Sequence, residues 1–160
     1  MNEIKNVLFV CLGNSARSPV AEYLARYYAE KLNVKLNFDS CGFINAFGYI
    51  QPESRRYLDS KGINYSDFVS KIINRTLLKK QDLILTMEKT HSNDIKTQFT
   101  NIKDIEKKTF TLKEFNGEIE DLDIIDPYYT SSTTYKKVLK IIDQNIKKAV
   151  DKIIYLNSSV

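Results

Sequence analysis

The sequence predicts an α/β fold, a single-domain doubly wound sheet of about four parallel strands with helices on both faces, spanning residues 1–160. Three observations carry that expectation. Apolar runs of strand length alternate along the chain with segments of helical period, which implies right-handed βαβ crossovers. The first run, Val7 to Cys11, passes through a short polar loop directly to Pro19, a residue favoured at the first position of a helix. The run from Asp82 to Met87 is apolar without alternation, as in strands covered on both faces.

Taken in order, residues 18–32 read as a helix, with Val20, Leu24, Tyr28 and Leu32 at four-residue spacing. Residues 34–40 alternate Val34, Leu36 and Phe38 against Lys35, Asn37 and Asp39, the pattern of a half-exposed strand ending at Ser40-Cys41-Gly42. The aromatic segment 43–51 has no period and precedes Pro52, so it reads as a loop, and a helix follows over 53–60, stopped by Gly62. Residues 66–81 mix a short extended piece with a short helix. A buried strand over 82–87, a helix over 88–98 and a shorter strand over 109–112 come next. An acidic, loop-rich passage over 113–125 leads to Asp126-Pro127-Tyr128-Tyr129. The last helix, 132–156, sets Val138, Ile142, Ile146, Val150 and Ile153 on one face, toward the sheet.

Composition narrows the classes of function. At 160 residues, with 42% hydrophobic and 28% charged residues, 5 Gly and 3 Pro, the chain is globular in composition and about one domain long. It shows no internal repeat, no apolar run that would span a bilayer and no cleavable leader pattern before the first strand, so the expected compartment is cytoplasmic. The two cysteines, Cys11 and Cys41, make neither a disulfide framework nor a metal-ligand pair, and with the single histidine His91 they leave zinc or haem without a ligand set. The net charge of +4 comes from lysines dispersed over many segments, so neither a nucleic acid nor a membrane is an expected partner.

The chemistry concentrates in Cys11-Leu12-Gly13-Asn14-Ser15-Ala16-Arg17-Ser18-Pro19. A cysteine closing a buried strand is commonly a small core residue. Here it is followed by a glycine, an asparagine and an arginine before a helix start, a composition suited to a loop that cradles an anion. Backbone N–H groups at a helix N-terminus favour a phosphate, and they equally favour a thiolate over a thiol. Arginine offers a fork of parallel N–H donors to phosphoryl oxygens, which lysine cannot. In a doubly wound sheet such a loop lies beyond the C-terminal strand ends, where ligands bind. The Asp126 segment is long enough to fold over the same edge.

The loop, together with Asp126-Pro127-Tyr128-Tyr129 before the last helix, resembles the low-molecular-weight protein tyrosine phosphatase family over nearly the whole chain. The resemblance implies hydrolysis of phosphotyrosine and small aryl phosphates through a phosphocysteine intermediate, without metal or organic cofactor, on phosphotyrosine-bearing proteins. It implies that Cys11 is the nucleophile, Arg17 the phosphoryl clamp and Asp126 the general acid and then base. Leu12, Gly13, Asn14, Ser15 and Ala16 would supply the cradle with Ser18, while Asn14, Ser18 and Ser40 would fix its shape. Tyr128 and Tyr129 would wall a slot for a phenyl ring, opposed by Phe47 or Tyr49, between which the sequence does not choose.

Two places depart from the family: the loop over 43–51 is short and lacks the usual tryptophan or tyrosine in a clear register, and residue 16 is not a cysteine. Ala16 stands where many members carry a second cysteine able to protect the nucleophile, so Cys11 is expected to lack a resolving thiol unless Cys41 lies close. A thiol-coupled arsenate reductase, the nearest rival enzyme, needs further cysteines, and Gln81 to Thr90 holds none. A silent phosphate-binding module would need neither nucleophile nor acid.

Overall fold

A parallel strand forms only where a neighbour is available to pair with, and that requirement sets where the strands of this chain begin. In a computed structural model that describes residues 2–160, β1 (Asn6–Cys11) is central, and β2 (Asn37–Gly42) pairs with it in the register Asn6↔Asn37 to Cys11↔Gly42. Residues 34–36, expected in the second strand, lie before the first paired position and are not strand, although Leu36 still packs on the core. On the other side of β1 lies β3 (Leu83–Thr86), and β4 (Thr109–Thr111) completes a four-stranded parallel sheet of order β2-β1-β3-β4. Met1, the first residue of the predicted domain, lies outside the described residues.

The helices follow the predicted periods closely. After β1 comes α1 (Ser18–Lys31), in which Val20 and Leu24 are buried while Leu32, at its C-cap, is exposed. Next is α2 (Pro52–Ser60). The passage 66–81 holds a single bridge between Gly42 and Ile72, followed by α3 (Arg75–Lys79), whose N-cap Asn74 accepts from Leu77 N–H at 2.9 Å. The helix expected at 88–98 is α4 (Lys89–Gln98).

Two short features escaped the sequence. One turn of helix, α5 (Ile105–Lys108), precedes β4. Leu112, expected in the fourth strand, instead opens α6 (Leu112–Phe115) because Thr111 and Glu114 form a reciprocal capping box. The passage from 113 is therefore partly helical rather than all loop. The chain ends in α7 (Ser132–Asn157), where Val138, Ile142, Ile146, Val150 and Ile153 are all buried.

Alternation along β1 divides the core in two. Val7, Phe9 and Cys11 face the layer of α1 and α7, while Leu8 and Val10 face that of α3, α4 and α5, where Cys41 also packs. Helices thus cover both faces of the sheet. Among the described residues no helix is long and apolar enough to cross a membrane.

Candidate active site

Carbonyl groups and amide groups of the loop between β1 and α1 meet different fates. The Leu12 carbonyl accepts from Phe43 and Ile44 N–H, that of Ser15 from Gln51 N–H and that of Ala16 from the Ser54 hydroxyl, at 2.8–3.0 Å. The six backbone N–H groups from Leu12 to Arg17 find no acceptor among the described residues. Six successive donors without a partner, leading into a helix N-terminus, suit an anion.

Two neighbours let the loop take this path. Asn14 has a left-handed backbone (φ 49°), tolerated by asparagine. A Cβ on Gly42, at the end of β2, would stand 2.7 Å from Asn14 N and Leu12 O, so the strand can approach the loop this closely only as glycine.

Cys11 is buried at the base, with Sγ 3.0 Å from the Ser18 hydroxyl oxygen. The Asn14 side-chain amide donates to both Ser18 Oγ and Ser40 Oγ at 2.9 Å, while its oxygen accepts from Lys71 N–H at 3.0 Å. Ser40 Oγ donates in turn to Glu22 Oε1 at 2.6 Å. Burial pushes the Glu22 carboxyl up to about 7, against the opposing pull of Ser40 and Arg26.

Arg17 is only 1% exposed. Its Nη1 donates to Glu88 Oε2 at 2.6 Å and to the Ile124 carbonyl at 2.7 Å, and its Nη2 lies 3.7 Å from Asp126 Oδ2. Both Nη1 donors are thus taken inside the protein, and the Nε and Nη2 donors remain for an oxyanion. No local pattern in the sequence points to Glu88. It follows β3 by two positions, and the topology carries it to the same sheet edge as Arg17. His91 stands nearby with Nε2 3.6 Å from Glu88 Oε2, and burial lowers its basicity while Glu88 acts the other way.

The cleft above Cys11 encloses about 210 Å³. Leu12, Gly13, Ser15, Ala16 and Arg17 line it from the loop, and Asp126, Phe47 and Tyr128 from the rim, with Ile44 and Ala46, which the sequence did not single out. Asn14, Ser18 and Ser40 lie beneath the loop rather than on the cleft wall. The rings of Phe47 and Tyr128 stand 5.1 Å apart, edge to face. Tyr49 packs against Phe47 but is half exposed and does not line the cleft. Tyr129, whose backbone has a positive φ of 67°, also stays outside and is 92% exposed. Asp126 Oδ1 accepts from Tyr128 N–H at 3.0 Å, an Asx turn that aligns acid and aromatic. Among the described residues no group of three or more His, Cys, Asp or Glu side chains is arranged to hold a metal ion.

The sequence model of the low molecular weight phosphotyrosine protein phosphatases matches residues 6–156. The chain belongs to this family. It is an enzyme of the phosphatase class. The low molecular weight protein-tyrosine-phosphatase Ptp of Acinetobacter johnsonii is 35% identical over 127 residues, 79% of this chain and 82% of that one. The protein-arginine-phosphatase of Bacillus subtilis is 32% identical over 144 residues, 89% of this chain and 93% of that one. Among solved structures, the low molecular weight protein tyrosine phosphatase of T. tengcongensis superposes with a TM-score of 0.82 at 33% identity, covering 92% of this chain and 99% of that one.

Proposed function

We propose that this phosphatase hydrolyses phosphotyrosine on proteins, in a cytoplasmic setting, through a phosphocysteine intermediate. The observation that carries the reading is the asymmetry of the loop. Among the described residues the six N–H groups from Leu12 to Arg17 have no acceptor, while the carbonyls of Leu12, Ser15 and Ala16 accept hydrogen bonds from other parts of the chain. A dianionic phosphoryl group bound there would meet these donors and the free edge of Arg17.

In the first step Cys11 Sγ, as thiolate, attacks phosphorus, forming the S–P bond as the bond to the leaving oxygen breaks. The Asp126 carboxyl gives its proton to that oxygen. Water then attacks phosphorus as the Asp126 carboxylate takes its proton, the S–P bond breaks and inorganic phosphate leaves. Arg17 holds the equatorial oxygens through both steps, and the thiolate, guanidinium and carboxyl suffice without a cofactor. Phe47 and Tyr128 would flank the phenyl ring of phosphotyrosine.

One observation favours a second substrate, phosphoarginine. A relative of similar identity and greater coverage is a protein-arginine-phosphatase, and Asp126 at the rim could equally face a guanidinium. Assays of para-nitrophenyl phosphate, a phosphotyrosine peptide and a phosphoarginine peptide with wild type, Cys11→Ser and Asp126→Ala separate the readings. The proposal expects phosphotyrosine to be preferred and Cys11→Ser to be inactive. Preference for phosphoarginine would replace the substrate, and activity in Cys11→Ser would overturn the mechanism.

A further inference from the structure

At the opposite end of the sheet from the catalytic loop, a second cavity of about 880 Å³ opens between the two helical layers. This volume falls in the range of ligand sites, and it is some four times that of the cleft over Cys11. Its apolar lining comes from Ile4 and Leu83 at the strand starts, Phe110 and Phe115 around β4 and α6, and Leu156 near the end of α7.

Five lysines complete the wall: Lys79, Lys103, Lys107, Lys108 and Lys152. Among the described residues none has a carboxylate oxygen within 4.0 Å. The acids of the same wall are largely engaged elsewhere. Glu3 pairs with Lys5, Glu114 with Lys89, and Asp82 accepts the N–H groups of Lys5 and Asn6, which leaves Asp104 as the acid without such a partner. The cavity therefore offers more free positive than free negative charge.

Two of the ammonium groups are fixed in place by backbone carbonyls. Lys108 Nζ donates to the Leu78 and Gln81 carbonyls at 3.1 and 2.9 Å, and Lys152 Nζ donates to the Phe115 carbonyl while lying 4.8 Å from the centre of the Phe115 ring. An ammonium has three donors, so each keeps at least one unused. Burial pulls Lys108 below the usual lysine range, against the opposing pull of the Asp82 and Asp104 carboxylates.

We infer that this cavity is a binding site for an amphipathic monoanion, an apolar body seated on Phe110, Phe115 and Leu156 with a carboxylate or similar head drawn to the lysine-lined wall that includes Lys108 and Lys152. Apolar area supplies the affinity and the two held cations supply the selection for charge. The site is independent of the catalytic loop.

An amide-resolved NMR titration of the full chain with decanoate tests this, with decanol as the uncharged body. Saturable shifts at Leu83, Phe110, Phe115 and Leu156 are expected, with decanol binding at least about tenfold more weakly. The double variant Lys108→Met/Lys152→Met should lose about tenfold for decanoate and keep wild-type phosphatase activity. Leu156→Glu, which leaves both lysines in place and sets a negative charge on the floor, should also weaken decanoate. Shifts confined to the Cys11 loop, equal binding of decanol, or undiminished binding in both variants would overturn the inference.

Discussion

Arg17 Nη1 lies 2.6 Å from Glu88 Oε2, so a buried guanidinium of the phosphate loop is held in place from the end of β3. The bond consumes one edge of the arginine and thereby fixes which edge faces the cleft. Removing Glu88 leaves a buried cation short of one acceptor, which costs about 1–3 kcal/mol. Glu88→Ala should therefore lower the urea midpoint and raise the inhibition constant for inorganic phosphate, while Glu88→Gln keeps an acceptor and shows the smaller change in both. Wild-type stability and phosphate inhibition in Glu88→Ala would contradict this role.

Glu22 predicts a pH dependence of stability. Its carboxyl rises from the ordinary 4.5 to about 7 in the folded protein, because burial disfavours the charge. The folded state thus holds this proton more tightly than the unfolded chain. Stability from this group is greatest below 4.5, falls as pH rises to about 7 and stays low above it. The difference is on the order of 3 kcal/mol. Glu22→Gln, which mimics the protonated form, should match wild type near the acid end of that window and exceed it above the neutral end in urea unfolding. An equal difference at every pH would refute the assignment.

Gly42→Ala should damage the loop from a distance. The added methyl would meet backbone atoms of residues 12 and 14 rather than a flexible side chain. A displacement of about 1 Å at the loop is expected to lower kcat by about 100-fold. Circular dichroism should show the sheet and helices retained. Unchanged kcat would mean that β2 need not approach the loop this closely.

Phe47→Ala removes one wall of the cleft. An aromatic pair of this geometry is worth about 0.5–1.5 kcal/mol, so KM for a phosphotyrosine peptide should rise about 2- to 12-fold. Tyr49→Ala, outside the cleft, should change KM little. Equal effects of the two would show that the ring is bound elsewhere.

Oxidation should leave Cys11 without a thiol partner inside the chain. Cys41 is paired to Val10 on the neighbouring strand but packs on the opposite face of the sheet from Cys11, and burial holds its thiol well above the usual range. Peroxide treatment followed by peptide mass mapping should find Cys11 oxidised and no link to Cys41. A Cys11–Cys41 disulfide would contradict the placement.

Much of this could be read from the chain because the decisive signals are local. The step from β1 through a Gly- and Asn-containing loop to Pro19, and the apolar face of α7, are written in neighbouring residues. What the sequence withheld depends on pairing across distance. Val34 and Leu36 alternate like a strand yet have no partner in register, and Leu112 was drawn out of β4 by a cap on Thr111. Glu88 reaches Arg17 only through the order β1-β3 in the sheet. Tyr49 and Tyr129 carry the same aromatic character as Phe47 and Tyr128, and only the folded chain distinguishes the rings that line the cleft.

The covalent intermediate at Cys11 is the central step of the proposed reaction. Rapid quenching of wild type and Asp126→Ala with para-nitrophenyl phosphate, followed by peptide mass analysis, should find one phosphoryl group on the peptide containing Cys11, with none in Cys11→Ser. A phosphoryl group on any other residue, or turnover by Cys11→Ser, would contradict it.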